Sequence, residues 1–394
     1  MRRQTRTGHG AGAAVLLSAT LALTACSTSA PADPSPTSSS GAGTVTSSEP
    51  AATPTPSPSA STASPSPTAT AVRSPRVAGV SVLARRLEVP WGVAFLPSGS
   101  ALVAQRRSGL VVLVSPAGRE TVVGRVPGVA DQGEGGLLGL AVDPDDATRV
   151  YAYLTSTRGD NRVVLLRLSE GRLSLQRTLL TGIPSGRRHN GGRIVVGPDG
   201  RLWIGTGDAG DIARAQRRGD LGGKILRIGR DGSVPADNPF GTPVWSYGHR
   251  NVQGLAFDSA GRLWATEFGQ DTYDELNLIR RGGDYGWPLV EGKGGDPRYV
   301  DPQVVWRTDD ASPSGLAIVG DVAFVGALKG RRLWQVPLAG GRAGTPVAAF
   351  TGRFGRLRTV AAAPDGTLWV TTSNRDGRGS PTADDDRILR VTLR

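Results

Sequence analysis

Between Gly248 and Pro288 the chain gathers side chains able to bind charge of either sign. Gly248-His249-Arg250-Asn251-Val252-Gln253-Gly254 brings a cation, an amide and a glycine turn. Glu267-Phe268-Gly269-Gln270-Asp271 and Gly283-Asp284-Tyr285-Gly286-Trp287-Pro288 follow within a span of 41 residues. Guanidinium and amide donors suit an anionic ligand, whereas carboxylates and backbone carbonyls suit a hard cation. A segment that can hold both reads as a site. Two scarcities sharpen the reading. Of 46 lysines and arginines only Lys224, Lys293 and Lys329 are lysines, and the three histidines are His9, His189 and His249.

Such residues need elements that bring them together. A short apolar strand, a tight turn and a second strand recur in Gly192 to Ile204, Gly254 to Ala265 and Thr359 to Val370, each with a turn glycine and a Leu-Trp pair after it. Degenerate copies turn at Gly99, Asp146 and Gly320. Six turns, spaced by 47, 54, 61, 59 and 46 residues, leave room for one sheet of about four strands each. The expectation is an all-β, six-bladed β-propeller over residues 73–394. A sandwich or a β-helix would show shorter or more uniform repeats. In a propeller the start of a blade's first strand and the end of its hairpin partner lie on the same face of the disc. Glu134, His189, Arg250, Asn251 and Arg356 fall ten to twelve residues before their turns, and Arg358 falls eight before. Gly269, Gln270 and Lys329 fall eight or nine after theirs. All should therefore ring one mouth of the central channel.

The N-terminus reads differently. Arg2, Arg3 and Arg6 precede an uncharged run from Gly10 to Ala25, the pattern of a secretory signal. That run is too short for a permanent membrane span, which needs about 20 residues. Leu23-Thr24-Ala25-Cys26 resembles the bacterial lipobox, so residues 1–25 are expected to be a lipoprotein signal and Cys26 a lipidated N-terminus. The other reading is an ordinary cleaved signal with an incidental cysteine. With no second cysteine, no internal disulfide is possible. Residues 26–72 are almost wholly Ser, Thr, Pro, Ala and Gly, too poor in apolar residues for a core, and read as a disordered linker. The net charge of +12 falls to about +9 without the signal arginines. The scattered arginines and the export signal argue against nucleic-acid binding.

Five segments carry a family resemblance: Glu134-Gly-Gly-Leu-Leu-Gly139, His189-Asn-Gly-Gly-Arg193, Gly248 to Gly254, Asp274-Glu-Leu-Asn-Leu-Ile279 and Gly283 to Pro288. In this order they resemble the soluble aldose sugar dehydrogenases, or glucose/sorbosone dehydrogenases, over roughly Leu87 to Leu393. That family uses pyrroloquinoline quinone and calcium. The resemblance implies oxidation of an aldose at its anomeric hydroxyl to the lactone, with an external electron acceptor. It implies that His189 is the general base, a role suited to an imidazole. Arg250 would polarise the quinone oxygen, with Asn251 beside it. Lys329, Arg356 and Arg358 would meet the cofactor's carboxylates. The carbonyls of Gly269 and Gln270 match the positions that hold calcium under the quinone. Glu275 and the carbonyl of Tyr285 match a second, structural calcium position. His249 reads as packing or support.

The chain departs from the family pattern in two places. Arg188 stands where the best-known glucose enzyme has an acidic residue near the sugar, and Glu134 stands where it has an amide. Both are expected on the substrate side. The aromatic clamp over the cofactor is less evident, with Trp306 as the candidate. Two other classes remain open at this point: a calcium-dependent propeller hydrolase of the lactonase type, and a propeller that only binds saccharide or protein at the cell surface.

Overall fold

The computed structural model describes residues 74–394. The signal segment, Cys26 and the Ser/Thr/Pro/Ala-rich stretch lie outside the described residues. What is described is nearly all β, in six antiparallel sheets, and the six-bladed expectation holds. Blade I runs from Pro90–Phe95 to Glu120–Arg125, blade II from Leu137–Val142 to Arg172–Pro184, and blade III from Ile194–Val196 to Val244–Tyr247. Blade IV runs from Val252–Phe257 to Val304–Arg307 and blade V from Pro313–Val319 to Val347–Ala349. Blade VI takes Leu357–Ala362, Leu368–Thr372 and Ile388–Leu393, and its outermost strand is Val77–Ala84 from the other end of the domain. That exchange closes the ring, since a strand from each end of the domain shares one sheet. Among the described residues the one helical element is a 3-10 turn at Ile212–Arg214.

The repeat that marked the blades has a structural reason. The turn glycines Gly99, Gly200, Gly261, Gly320 and Gly366 all have φ between 54° and 81°, a region that other residues enter at a cost. In two of the three full copies the tryptophan meets a nearby aspartate: Trp203 Nε1 donates to Asp199 (3.0 Å) and Trp264 Nε1 to Asp258 (2.9 Å), whereas Trp369 Nε1 has no partner among the described residues. Burying an indole of this size contributes about 4 to 6 kcal/mol. Each apolar core cluster sits in a seam between two neighbouring blades, six clusters for six seams.

The innermost strands share a second signature, a small residue near their start. Gly92, Gly139, Gly254 and Gly315 occupy this place. A Cβ there would press on the backbone of Leu138, Gly192, Ser314 and Val360 respectively, each on the next blade. In four of the six blades glycine lets the inner strand crowd against its neighbour. Blade III carries Arg193 and blade VI Thr359 at the corresponding place, and Arg193 Nη2 donates to Thr359 Oγ1 across the channel (3.1 Å). The guanidinium also stacks on Trp91 (4.3 Å) and donates to the Gln253 carbonyl (2.8 Å). Arg193 thus forms a floor under one mouth of the channel.

Candidate active site

Above that floor lies a cavity of about 390 Å³. Its lining comes from two kinds of loop, those entering a first strand and those leaving a second strand, as the repeat requires. Glu134, Arg187, Arg188, Arg356 and Arg358 come from entries or the first residues of an inner strand; Arg106, Phe268, Leu328, Asp376 and Arg378 come from exits. Six arginines against two carboxylates make the cavity strongly positive.

His189 directly follows Arg188 of that lining. It enters blade III with φ 57°, a conformation uncommon outside glycine and asparagine, which directs its backbone N–H to Glu134 Oε2 (2.9 Å). Its Nδ1 lies 2.7 Å from Asp208 Oδ1. Burial opposes ionisation of Asp208, but hydrogen bonds from His189, from the Gly210 N–H and from Trp287 Nε1 (3.0 Å) outweigh it and hold the carboxylate below its ordinary range. An ionised carboxylate only accepts, so in the neutral imidazole Nδ1 carries the ring proton and Nε2 presents a lone pair. Nε2 has no hydrogen-bond partner among the described residues. This is the arrangement of an oriented general base.

Arg250 and Asn251 enter blade IV beside it. The Arg250 N–H donates to Glu267 Oε1, its Nη1 reaches the Phe268 carbonyl (3.3 Å), and its guanidinium lies over Trp287 (5.3 Å). Burial lowers its pKa from the ordinary guanidinium value. Asn251 Oδ1 accepts from the Gly191 N–H (2.9 Å), which fixes the amide and ties blade IV to the turn after His189. Arg250 Nε and Asn251 Nδ2 are buried donors without partners. Unmet buried donors are costly, and both would be satisfied by an acceptor-rich ligand.

Across the ring, blade VI supplies an anion cradle. Arg356 and Arg358 both donate to Asp376 Oδ2 (3.2 and 3.1 Å), and Arg358 also donates to Ser373 Oγ (2.9 Å) and Gln253 Oε1 (3.2 Å). Burial pulls Arg358 down to about 10, with Arg106 and Arg356 adding repulsion against the pull of Asp376. Lys329 lies apart from this cradle: it is exposed, pairs with Asp309 and lines a neighbouring cavity that shares Leu328, Arg356 and Arg378 with the first. Glu134 Oε1 is paired with Arg378 (2.7 Å), and Arg188 lines the cavity with its side chain exposed.

The calcium candidates fall on blade IV. The Gly269 N–H donates to Asp274 Oδ1 (2.9 Å), and Glu291 Oε1 accepts from the N–H groups of Gln270, Asp271, Thr272 and Tyr273. The loop is therefore held by its N–H side. The carbonyls of Gly269 and Gln270 accept no hydrogen bond among the described residues. Glu275 is buried opposite Glu267 on the neighbouring strand, and burial together with that second carboxylate pushes it up to about 8. Asn277 Oδ1 nearby is a buried acceptor without a donor. Glu275 and the unmet Asn277 oxygen are hard oxygen donors of the kind a divalent cation takes, whereas both oxygens of Glu267 already accept, from the Arg250 N–H and from His249 Nδ1. Tyr285 is buried, with its hydroxyl donating to the Leu278 carbonyl (2.7 Å) and its ring stacked on His249 (4.4 Å). Trp306 lies in the seam between blades IV and V, stacked on Trp334, and does not line the cavity. The aromatic groups that do are Trp91 and Phe268.

Asp208, Arg106 and Asp376 are absent from the sequence expectation, and Trp287 stands in the Gly283 to Pro288 segment without an assigned role. Asp208, Arg106 and Asp376 follow second strands, as Gly269 and Lys329 do; Asp208, eight residues after Gly200, obeys the register rule, whereas Arg106 at seven after Gly99 and Asp376 at ten after Gly366 fall just outside it.

A propeller with a His–Asp pair and a cationic cavity at one channel mouth defines a ligand-binding β-propeller; comparison with known proteins narrows it. The Glucose / Sorbosone dehydrogenase profile matches residues 87–389. The aldose sugar dehydrogenase YliI of Escherichia coli is 31% identical over 342 residues, covering 77% of this chain and 92% of that one. Quinoprotein glucose dehydrogenase B of Acinetobacter calcoaceticus is 32% identical over 258 residues, covering 56% and 54%. Among solved structures, the PQQ-bound aldose sugar dehydrogenase of Streptomyces coelicolor superposes with a TM-score of 0.78 at 50% identity, covering 82% of this chain and 98% of that one. The chain belongs to the glucose/sorbosone dehydrogenase family.

Proposed function

We propose that this protein is a quinoprotein that oxidises the anomeric hydroxyl of an aldose to the lactone, with pyrroloquinoline quinone as cofactor and calcium beside it. The observation that carries this is His189, clamped through Nδ1 on Asp208 with Nε2 unpartnered among the described residues, and directly following Arg188 of the arginine-lined cavity. The PQQ-bound Streptomyces coelicolor relative supports the choice of cofactor. Arg356, Arg358 and Arg106 would hold its carboxylates, and Arg250 and Asn251 have the unmet donors for its remaining oxygens. Gly269 and Gln270 would offer carbonyls to calcium, and Glu275 with the Tyr285 carbonyl would hold a second, structural ion. When bound, the quinone supplies the hydride acceptor. His189 Nε2 takes the proton from the sugar's anomeric hydroxyl, and Asp208 stabilises the imidazolium that results. Trp91, the indole over which Arg193 lies, walls the cavity and limits water. Arg250 faces the position where negative charge develops.

An external electron acceptor would return the enzyme to its oxidised form. The signal pattern and Leu-Thr-Ala-Cys site support export and attachment by a lipid on Cys26 to the outer face of the membrane, with no nucleic-acid partner. The hydrolase reading is weaker, because the two cavity carboxylates, Glu134 and Asp376, are each engaged by arginines rather than free to share a metal. The test is to add quinone and Ca²⁺ to the purified apoprotein, record the absorption spectrum, then add an aldose. Uptake followed by reduction is expected. Failure to bind quinone would reject the reading. Cys26→Ser should release the protein from washed membranes; wild type found wholly in the medium would reject the anchor.

A further inference from the structure

The cavity holds more positive charge than its cofactor needs, and the surplus lies beside the base. Arg356 and Arg358 share Asp376, and Arg378 pairs with Glu134. Arg187 and Arg188 differ: both are exposed, both line the cavity, and neither forms an ion pair among the described residues. They lie on the loop entering blade III, which in a ring of six stands opposite blade VI and its cradle.

Arg188 directly precedes His189. Its Nε lies 3.5 Å from where a Cβ on Gly210 would stand, and the Gly210 N–H donates to Asp208 Oδ1 (2.7 Å). The guanidinium therefore rests against the turn that orients the base. It is also near enough to Arg250 for the two cations to repel. A neutral sugar would leave this cluster uncompensated, whereas a sugar bearing an anion would complete it.

We propose that the aldose taken by this site is acidic, with a carboxylate or phosphate remote from its anomeric carbon, and that Arg188 selects it. The proposal rests on the dehydrogenase reading and names its substrate class. The acid group takes no part in bond making: the C1–H bond breaks with its electron pair passing to the quinone oxidant, and the hydroxyl proton goes to His189. A guanidinium fork matches a carboxylate in two parallel hydrogen bonds.

The test compares D-glucuronate, D-glucose 6-phosphate and D-glucose on the full chain loaded with quinone and Ca²⁺. At low salt at least one acidic sugar should exceed glucose in kcat/KM by roughly tenfold or more, the scale of one charged hydrogen bond. The advantage should shrink as salt screens the charge. Arg188→Gln should lower the acidic-to-neutral ratio by roughly ten- to a hundredfold, and Arg188→Lys should restore part of it. Preference for glucuronate alone identifies a uronic acid, and preference for the phosphate alone a sugar phosphate. Equal kcat/KM for all three sugars, or a ratio unmoved by Arg188→Gln, overturns the proposal while leaving the dehydrogenase reading standing. If none of the three reduces the bound quinone, that reading falls and this proposal with it.

Discussion

Two histidine–carboxylate pairs lie within this one mouth of the propeller, and they are nearly the same at one nitrogen and opposite at the other. His189 Nδ1 is 2.7 Å from Asp208, and His249 Nδ1 is 2.8 Å from Glu267. His249 Nε2 is then taken by Ser246 Oγ (2.8 Å), and its ring is fully buried against Tyr285. His189 Nε2 has no such partner among the described residues. A carboxylate partner fixes a tautomer, but only an unengaged second nitrogen makes a base. His249 instead braces Glu267, which in turn holds the Arg250 backbone.

The contrast can be broken most forcefully by removing each imidazole. His189→Gln should lower aldose turnover by about 10² to 10⁴, the range for a general base, with quinone affinity little changed. Asp208→Asn should lose turnover on a similar scale, because an amide can stabilise the wrong tautomer. His249→Gln should instead cost about 1 to 3 kcal/mol of stability, the penalty for leaving Ser246 and Glu267 unpaired. Single-turnover reduction and denaturant unfolding separate these outcomes. Equal kinetic losses at both histidines would erase the distinction drawn between them.

The cradle offers the next largest effects. Asp376 is buried between two guanidiniums, and although burial opposes its charge, Arg358 and Arg356 hold its pKa below the ordinary range. A depressed carboxylate contributes stability above its unfolded value, near 3.9, that is lost as pH falls through the lower folded value. Asp376→Asn should therefore cost roughly 3 to 5 kcal/mol at pH 7, as expected for breaking a buried pair, and less near pH 3. Unfolding at the two pH values checks the sign. Arg358→Met should weaken quinone binding by about 1.5 to 3 kcal/mol, measured by titration of the apoprotein. The smallest effect belongs to Lys329→Ala. Its exposed pair with Asp309 should contribute under about 1 kcal/mol to stability.

How far the sequence revealed this site depended on which loops carried a visible signal. The blades were legible because five turn glycines are required by geometry and recur, three of them followed by a Leu-Trp pair. His189, Arg250 and Arg358 were legible because each lies at the start of an inner strand. Asp208 was not, since a lone aspartate after Thr206-Gly207 resembles any solvated turn until the ring folds it onto His189. Trp287 was hidden for another reason: it reaches the site from a long excursion after the third strand of blade IV, which no repeat register fixes. Arg193 filled a place that glycine holds in four other blades, a break in pattern visible only once the inner strands are aligned. Lys329 obeyed the register yet stands outside the cavity, because an exit loop sets the height of a residue and not the direction of its side chain.

The central claim is that His189, oriented by Asp208, removes the proton while the arginine cradle holds the quinone. Stopped-flow reduction of bound quinone by an aldose, in wild type and in His189→Gln loaded to equal occupancy, tests it most directly. The account predicts equal quinone spectra before mixing and a rate at least roughly 10²-fold slower in the variant. Equal rates in the two proteins would contradict it.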